Sequence, residues 1–510
     1  MMINVKHLPM PPVLPLPKVR LTPAQALYTL TSKNGLGVYA SSDRLFKGAV
    51  FGRDSLEVAE DLMHIKPKLV EKILLTMASL QGEADDYLNE EEPGKIIHEY
   101  RKTVVDGKPL DKVSQDIFNS LARQWGGSDT VLAYYGSVDS TPHFIRALAT
   151  YCQAYGLEIL TRQVKLRSGQ KQSVLEALDN AINWLAKHAK KSKSGLIEYQ
   201  RRNPHGIENQ VWKDSREFYV HKDGHLASHS RPISSIEVQS LTYDALILAA
   251  EILPSRKAQL TELADQLQKR VIELLWLPNR DYFALGTDFE AKNKLRVIKT
   301  ITANPAEILD SLFLDNLPLK DKQRYITGIV QNIMGTDFLT DAGIRSRALS
   351  EAGVIKFWDY HGSYVSWPKE TYDIAKGLRR QGFPALAREL ENRLLNVIKA
   401  TRTYPEFIYV DFRGRVLGAP TSAKTHGELV LVDSKHQPEK IQAWTISAVL
   451  AINSFRRRRS VARVHQKLWQ IKLEKEVLRH IPHVPKLRFA RELQARYPAY
   501  PYELDLQDRI

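Results

Sequence analysis

The sequence has 510 residues, of which 43% are hydrophobic and 26% are charged, and its formal net charge is +15. This composition is close to that of an average globular protein, so it excludes a largely disordered chain and allows a large buried core. The length fits three ordinary domains or one large architecture. The single cysteine, Cys152, excludes an intrachain disulfide and fits a reducing compartment.

The first twenty residues contain five prolines and no apolar run of the length that a signal peptide requires. No segment approaches the roughly 18 apolar residues of a membrane-spanning helix. We therefore expect a cytoplasmic protein without a membrane partner.

The positive charge is concentrated near the C-terminal end. Residues 456–496 contain 13 Lys and Arg and 3 Asp and Glu, a net charge of +10. The positive charge is therefore a property of a basic extension and does not indicate what the main domain binds. Aromatic residues are sparse in this extension, which does not favour nucleic acid binding. We divide the chain into a Pro-rich N-terminal strap (1–40), a catalytic domain (41–455) and the basic C-terminal extension (456–510).

Between Ser55 and Phe455 the apolar residues recur at helical spacing about a dozen times. Ser173 and Glu176 form a capping box before one apolar stripe, Thr141 and Pro142 begin a helix that Gly156 ends, and Leu260 to Leu275 keep one face apolar. Alternating strands are few and short, as at 407–410 and 428–432. The pattern predicts an all-α protein built of paired amphipathic helices.

Four long loops, roughly 82–115, 191–233, 335–367 and 401–437, interrupt the helices, and loops of this length usually carry function. Acidic motifs lie in or beside them. They are Phe51-Gly-Arg-Asp54, Glu91 to Arg101, Tyr134 to Pro142, Asn209 to Ser215 and Tyr404-Pro-Glu406-Phe407. Inverting hydrolysis of a glycosidic bond needs one protonated carboxyl and one ionised carboxylate, so these motifs are candidates for its two acids.

These motifs, in this order, resemble the bacterial amylo-α-1,6-glucosidase family, which is related to the glucosidase part of glycogen debranching enzymes. The resemblance covers roughly 41–454, and Gln442-Ala-Trp444 and Tyr360-His361-Gly-Ser with Trp367-Pro368 extend it. It implies an (α/α)6 barrel of about twelve helices, with short strands in loops, that hydrolyses α-linked glucosides with inversion. It also implies Asp214 as the general acid, Glu406 as the general base and no cofactor.

The residue types are consistent with these roles. The indole of Trp212 beside Asp214 would disfavour ionisation of the carboxyl, and Pro405 would stiffen the approach to Glu406. We expect the remaining motif residues to contact an oligosaccharide or polysaccharide substrate. They are Arg53, Asp54, Glu99, Arg101, Tyr135, Asp139, Trp212, Lys213, Trp358, His361, Trp367 and Trp444.

Structural alternatives exist for several of these residues. Arg53 and Asp54 can belong to a helix cap, Asp139 to a helix start, Glu99 and Arg101 to a surface ion pair, and the tryptophans to the core. The spacing of His221, His225 and His229 resembles a metal site, but the surrounding Gly, Ser and Pro residues indicate a loop, and we expect no metal.

The sequence departs from the family pattern in two respects. Only about fifty residues precede Phe51, where family members commonly carry a β-rich domain, so oligomerisation or the basic extension can substitute for it. Val211 and Phe407-Ile408 differ from the usual neighbours of the two acids. Hydrolases of trehalose-like or mannosyl α-glycosides, and a non-catalytic carbohydrate-binding toroid, are therefore the alternatives.

Overall fold

A computed structural model of the chain describes residues 21–42, 45–354, 360–416, 423–425, 428–430, 438–457 and 466–482. The α-helices of these residues are α1 (Pro23–Leu30), α2 (Gly52–Leu62), α3 (Pro67–Ser79), α4 (Lys112–Gln124), α5 (Ser140–Tyr155), α6 (Val174–Lys191), α7 (Ile236–Ile252), α8 (Lys257–Leu275), α9 (Leu319–Ile333), α10 (Pro368–Arg380), α11 (Pro384–Thr401), α12 (Ala443–Arg457) and α13 (Leu468–His480). Short 3-10 helices are Leu157–Thr161, Pro254–Arg256, Ala291–Asn293, Asn304–Asp310, Leu312–Leu314 and Leu349–Glu351.

The strands of the described residues are short and lie in the connections between helices. They are β1 (Val50–Phe51), β2 (Glu99–Lys102), β3 (Val104–Val105), β4 (Lys108–Pro109), β5 (Val131–Tyr134), β6 (Gln163–Lys165), β7 (Lys171–Ser173), β8 (Glu198–Tyr199), β9 (Ile233–Ser235), β10 (Trp276–Leu277), β11 (Tyr282–Phe283), β12 (Gly286–Phe289), β13 (Leu295–Ile298), β14 (Leu339–Thr340), β15 (Gly343–Ile344), β16 (Val365–Ser366), β17 (Ile408–Tyr409), β18 (Ala423–Thr425) and β19 (Glu428–Val430). The larger sheets are antiparallel, in the orders β13-β12-β9-β8 and β1-β2-β5.

Six elements form a closed inner ring. Helix α2 packs on α5, α5 on α7, α7 on the 3-10 helix Asn304–Asp310, that helix on α10, α10 on α12, and α12 on α2 again. Around this ring, α3, α6, α8, α9 and α11 each pack on the inner element that precedes them, and α1 packs on α12. The architecture is a toroid of helical hairpins.

The local signals in the sequence explain where several helices begin and end. The side chain of Ser173 accepts from the backbone amide of Glu176 and the carboxylate of Glu176 accepts from that of Ser173, so the predicted capping box of α6 is confirmed. Gly156 ends α5 with φ of 93°, as the helix-stop signal predicts. Helix α7 is buried on almost every side, which is the pattern of a helix enclosed by neighbours.

The axis of the toroid is polar. Charged side chains of the inner elements meet in a cavity there, and Lys369, Asp373 and Lys376 of α10 lie on one helical face towards it. Glu57 of α2 contacts Lys369 at 3.0 Å, and Arg146 of α5 pairs with Glu60. The barrel is therefore a double layer of helices around a buried network of charges.

The two ends of the described chain are tied to the ring. Ser41 pairs with Gln442 in an isolated antiparallel bridge, and its hydroxyl donates to Glu439 at 2.8 Å. At the other end, α13 packs on α11, and Arg393 donates to the carbonyl of Pro482 at 2.9 Å. No helix of the described residues is both long and apolar enough to cross a membrane.

Candidate active site

A cleft of about 950 Å³, including its opening to solvent, lies at one end of the inner ring. Both Asp214 and Glu406 line it. So do eight further residues that the sequence predicts to contact substrate: Arg53, Asp54, Glu99, Arg101, Trp212, His361, Trp367 and Trp444. Residues from six separate segments of the chain thus meet in one place.

Asp214 lies in the connection between β8 and β9, and its neighbours hold this loop in place. The side chain of Asn209 donates to the carbonyl of Ser215 at 2.8 Å. On one side of Asp214, the buried ammonium group of Lys213 pairs with Glu370 and donates to Asn304 at 3.0 Å. The flanking side chains are thus engaged in the protein, while the carboxyl of Asp214 lines the cleft.

The surroundings of Asp214 favour its protonated form. Burial raises the pKa of Asp214 above its ordinary value, and a hydrogen bond from the hydroxyl of Tyr360 and the charge of Arg53 offset part of the rise. A raised pKa is the direction that suits a carboxyl acting as a general acid.

Glu406 lies between α11 and β17. Its backbone amide donates to the carbonyl of Glu439 at 2.9 Å, and the amide of Glu439 donates to the Glu406 carboxylate at 3.1 Å. The hydroxyl of Thr445 on α12 donates to the carbonyl of Pro405 at 2.8 Å. These bonds fix the carboxylate against the start of α12, and the side chain is almost fully buried.

Arg53 and Asp54 lie in the first turn of α2, where no side chain caps the helix, so the cap alternative does not describe them. Gly52 brings this turn against the carbonyl oxygen of Ile97, which would lie 1.9 Å from a Cβ at that position. Arg53 pairs with Asp139 at 2.9 Å. Burial raises the pKa of Asp54 to about 6, although Arg53 acts against the rise.

Asp139, Tyr135 and Lys213 are predicted substrate contacts that do not line the cleft. Asp139 lies behind Arg53, and Tyr135 is fully buried with its hydroxyl donating to Leu80 at 2.8 Å. Burial tends to raise the pKa of Asp139, but Arg53 and other partners outweigh it and lower the pKa. Trp358 lies outside the described residues.

Aromatic rings surround the two carboxyl groups. Trp367 stacks on His361 with ring centroids 4.8 Å apart and meets Trp212 and Trp444 edge to face at 5.5 and 6.0 Å. The rings of this cluster are buried and also line the cleft, so the core alternative describes these tryptophans, and their contact with substrate stays a prediction.

Several lining residues were not predicted. His98, Tyr360 and Gln442 stand inside the motifs, and their position there was the signal that could have identified them. Burial and the neighbouring Arg53 lower the pKa of His98 to about 3, so its imidazole is uncharged near neutral pH. Leu45, Phe46, Leu121, Trp125 and Ile207 also line the cleft and belong to no motif.

His221, one of the three histidines with metal-like spacing, is in a loop, as predicted. Its Nε2 lies 3.0 Å from the carboxylate of Asp288, which also pairs with Arg296. Among the described residues no group of His, Cys, Asp and Glu has the arrangement of a metal site.

The comparisons identify the fold. No family model and no curated protein matches the sequence, so the resemblance to amylo-α-1,6-glucosidases stays a prediction. The glycoside hydrolase family 63 mannosylglycerate hydrolase of Thermus thermophilus, solved in complex with glucose, is similar in structure, with a TM-score of 0.52 at 13% identity over 84% of this chain and 98% of that chain. An uncharacterised conserved protein of the same organism is similar at a TM-score of 0.50 and 13% identity, over 85% of this chain and 99% of that one. The predicted helical six-hairpin fold is therefore confirmed.

Proposed function

We propose that this chain is an inverting glycoside hydrolase of α-linked glucosides, with Asp214 as general acid and Glu406 as general base. The observation that carries the proposal is the presence of both carboxyl groups in one aromatic-lined cleft, with the pKa of Asp214 raised by burial. The known fold of a family 63 hydrolase supports the reaction class.

In the proposed reaction the Asp214 carboxyl gives its proton to the glycosidic oxygen as the bond from C1 to that oxygen breaks. A water molecule attacks C1 from the opposite face and passes a proton to Glu406. The products are the free alcohol and a sugar with inverted anomeric configuration, and exchange with solvent restores the two protonation states. Inversion requires room for the water, about 6.5–9.5 Å between the carboxyl groups.

The resemblance of the motifs makes α-1,6 branch glucosyl residues of glycogen-like oligosaccharides the first glucosides to test. A second candidate is a mannosyl or trehalose-like α-glycoside, because the similar Thermus protein is named a mannosylglycerate hydrolase. A carbohydrate-binding toroid without activity is the candidate from another class.

The test incubates the protein with α-1,6- and α-1,4-linked glucose oligosaccharides, trehalose and α-mannosides, and follows the first anomer released by NMR. We expect the sugar attacked at C1 to appear first as the β anomer, which for trehalose means α-glucose and β-glucose in equal amounts. Asp214→Asn and Glu406→Gln should each lower kcat/KM by roughly 10²–10⁴-fold. Asp265→Asn and Glu262→Gln, at exposed positions of α8, are the matched controls and should keep full activity.

Three outcomes contradict the proposal. Release of the α anomer first would exclude inversion, and full activity in either cleft variant would exclude its assigned role. Sugar binding without turnover of any substrate would favour the non-catalytic toroid.

A further inference from the structure

The cleft has two ends of different chemistry. At one end Arg53, Trp212, Gln442 and Trp444 are each buried at nine-tenths or more, and Trp212 Nε1, Trp444 Nε1 and Gln442 Oε1 have no hydrogen-bond partner among the described residues. Unpaired buried polar atoms of this kind suit the hydroxyl groups of a sugar ring. The other end is formed by Leu45, Phe46, Leu121, Trp125 and Ile207, which we call the apolar wall.

A separate hydrophobic cluster supports the apolar wall. Leu121 and Trp125, at the end of α4, belong to this cluster, and Leu45 and Ile207 pack against it. The ring of Trp125 stacks on Tyr134 with centroids 4.0 Å apart, and its Nε1 donates to the carbonyl of His205 at 3.0 Å. The polar atom of Trp125 is thus already satisfied, and only apolar surface of the ring remains for a ligand.

The charges beside the apolar wall are paired with each other. Arg101 forms a buried ion pair with Glu99, and its guanidinium also donates to the carbonyl of Leu45 at 2.8 Å. This arginine therefore positions the backbone of the wall rather than offering an unpaired positive charge. Hydroxyl groups of a second sugar held against such a wall would lose water without gaining equivalent partners.

Burial differs along the apolar wall. Leu45, Phe46 and Ile207 are half-buried, as is Asp214, whereas Leu121 and Trp125 are buried like Glu406. Phe46 contacts Phe51, the residue before the turn that carries Arg53, with ring centroids 5.3 Å apart. Leu45, Phe46 and Ile207 thus share partial exposure with Asp214, the residue proposed to protonate the leaving group.

We propose that the leaving group is an apolar alkyl or aryl alcohol rather than a second sugar, with the apolar wall as its binding surface. This inference rests on the proposed hydrolase activity and narrows its substrates to α-glucosides of hydrophobic alcohols. Transfer of the alkyl chain from water to the surface of Ile207 and Phe46 favours binding, and each buried methylene group adds to this gain. The gain provides the selectivity for hydrophobic alcohols.

The experiment compares kcat/KM for hexyl α-glucoside, methyl α-glucoside and isomaltose, because the two alkyl alcohols have similar acidity and differ in apolar surface. We expect the hexyl glucoside to exceed both others at least about tenfold. Ile207→Ser should lower the hexyl-to-methyl ratio several-fold, because the methyl group makes much less apolar contact than the hexyl chain, and Ile207→Val should retain the ratio. Ile252→Ser, a half-buried isoleucine of α7 outside the cleft, is the matched control.

The possible failures are distinguishable. Preference for isomaltose, or a hexyl-to-methyl ratio near one, would overturn the apolar leaving group while the hydrolase proposal stands. An unchanged ratio in both Ile207→Ser and Phe46→Ser would exclude the apolar wall. If no glucoside is cleaved, the proposed function fails, and calorimetry of the two alkyl glucosides on Asp214→Asn, which needs no turnover, decides whether the wall binds the alkyl chain.

Discussion

At the scale of single residues, the hydrogen bond from Tyr360 to Asp214 controls the proposed proton donor. The hydroxyl of Tyr360 stabilises the ionised carboxylate, so Tyr360→Phe should raise the pKa of Asp214 further. Activity of a general acid is lost as pH rises through its pKa. The alkaline limb of the kcat/KM profile should therefore move to higher pH, and kcat/KM at pH 8 relative to pH 5 should rise by up to about tenfold.

The matched control for Tyr360→Phe is Tyr325→Phe. Tyr325 packs on Trp276 of the outer layer with ring centroids 4.6 Å apart and does not line the cleft. Its removal should leave the profile in place. An alkaline limb that stays in place in Tyr360→Phe would show that the hydroxyl does not act on the general acid, and one that moves to lower pH would show that the hydroxyl favours the protonated carboxyl.

Sequence motifs predict the neighbourhood of a residue better than the direction of its side chain. Asp214 and Lys213 are adjacent, yet one lines the cleft and the other pairs with Glu370 beneath it. Tyr135 lies in an acidic motif but is directed towards Leu80 in the core. The apolar wall could not be predicted, because Leu121 and Ile207 meet there only through packing between α4 and a distant loop.

At the scale of elements, α13 stabilises the start of α11. The carboxylate of Glu474 on α13 accepts from the backbone amides of Ala385 and Leu386 at 2.7 and 3.2 Å. These are amides that the first turn of a helix leaves unpaired, and a negative charge is favourable there. Glu474→Gln should lower the free energy of unfolding by about 1–2 kcal/mol, measured by urea titration, with activity per folded molecule unchanged.

Glu476→Gln is the control for this prediction, because Glu476 is an exposed residue of the same helix. It should leave the free energy of unfolding unchanged. Equal effects of the two substitutions would show that overall charge, and not the contact with α11, determines the contribution of α13.

The sequence predicted the presence of the helices better than the residues at which they begin and end. The amphipathic pattern predicted α6, together with its start signal, and α8, because one apolar face is sufficient to specify an outer helix. The inner element at Asn304–Asp310 is a 3-10 helix of 7 residues instead of a full α-helix. Its place in the ring depends on packing between α7 and α10, which periodicity does not reveal.

At the scale of the whole molecule, the charged axis makes stability depend on pH. Burial raises the pKa of Glu57 to about 8 and of Asp61 and Asp244 to about 6. The folded protein therefore holds protons that the unfolded chain has released, and the contribution to stability declines as pH rises from about 4 towards 8. Glu57→Gln removes one such proton site and should flatten the decline between pH 5 and pH 8 by about 2 kcal/mol.

Urea titrations of both proteins at pH 5 and pH 8 measure this difference. Glu262→Gln on the exposed face of α8 is the control, and its free energy of unfolding should depend on pH as that of the unaltered protein does. If the free energy of unfolding of Glu57→Gln declined with pH as steeply as that of the unaltered protein, the pH dependence would come from other groups.

The bridge between Ser41 and Gln442 joins two segments that the ribosome synthesises at very different times. A ribosome releases the segment that carries Arg53 and Asp54 long before the one that carries Glu406 and Trp444. Until α12 emerges, α2 lacks a neighbour on one side and the nascent ring stays open. The cleft is therefore completed only after α12 has been synthesised, and a chain interrupted before α12 has neither a closed ring nor the complete cleft.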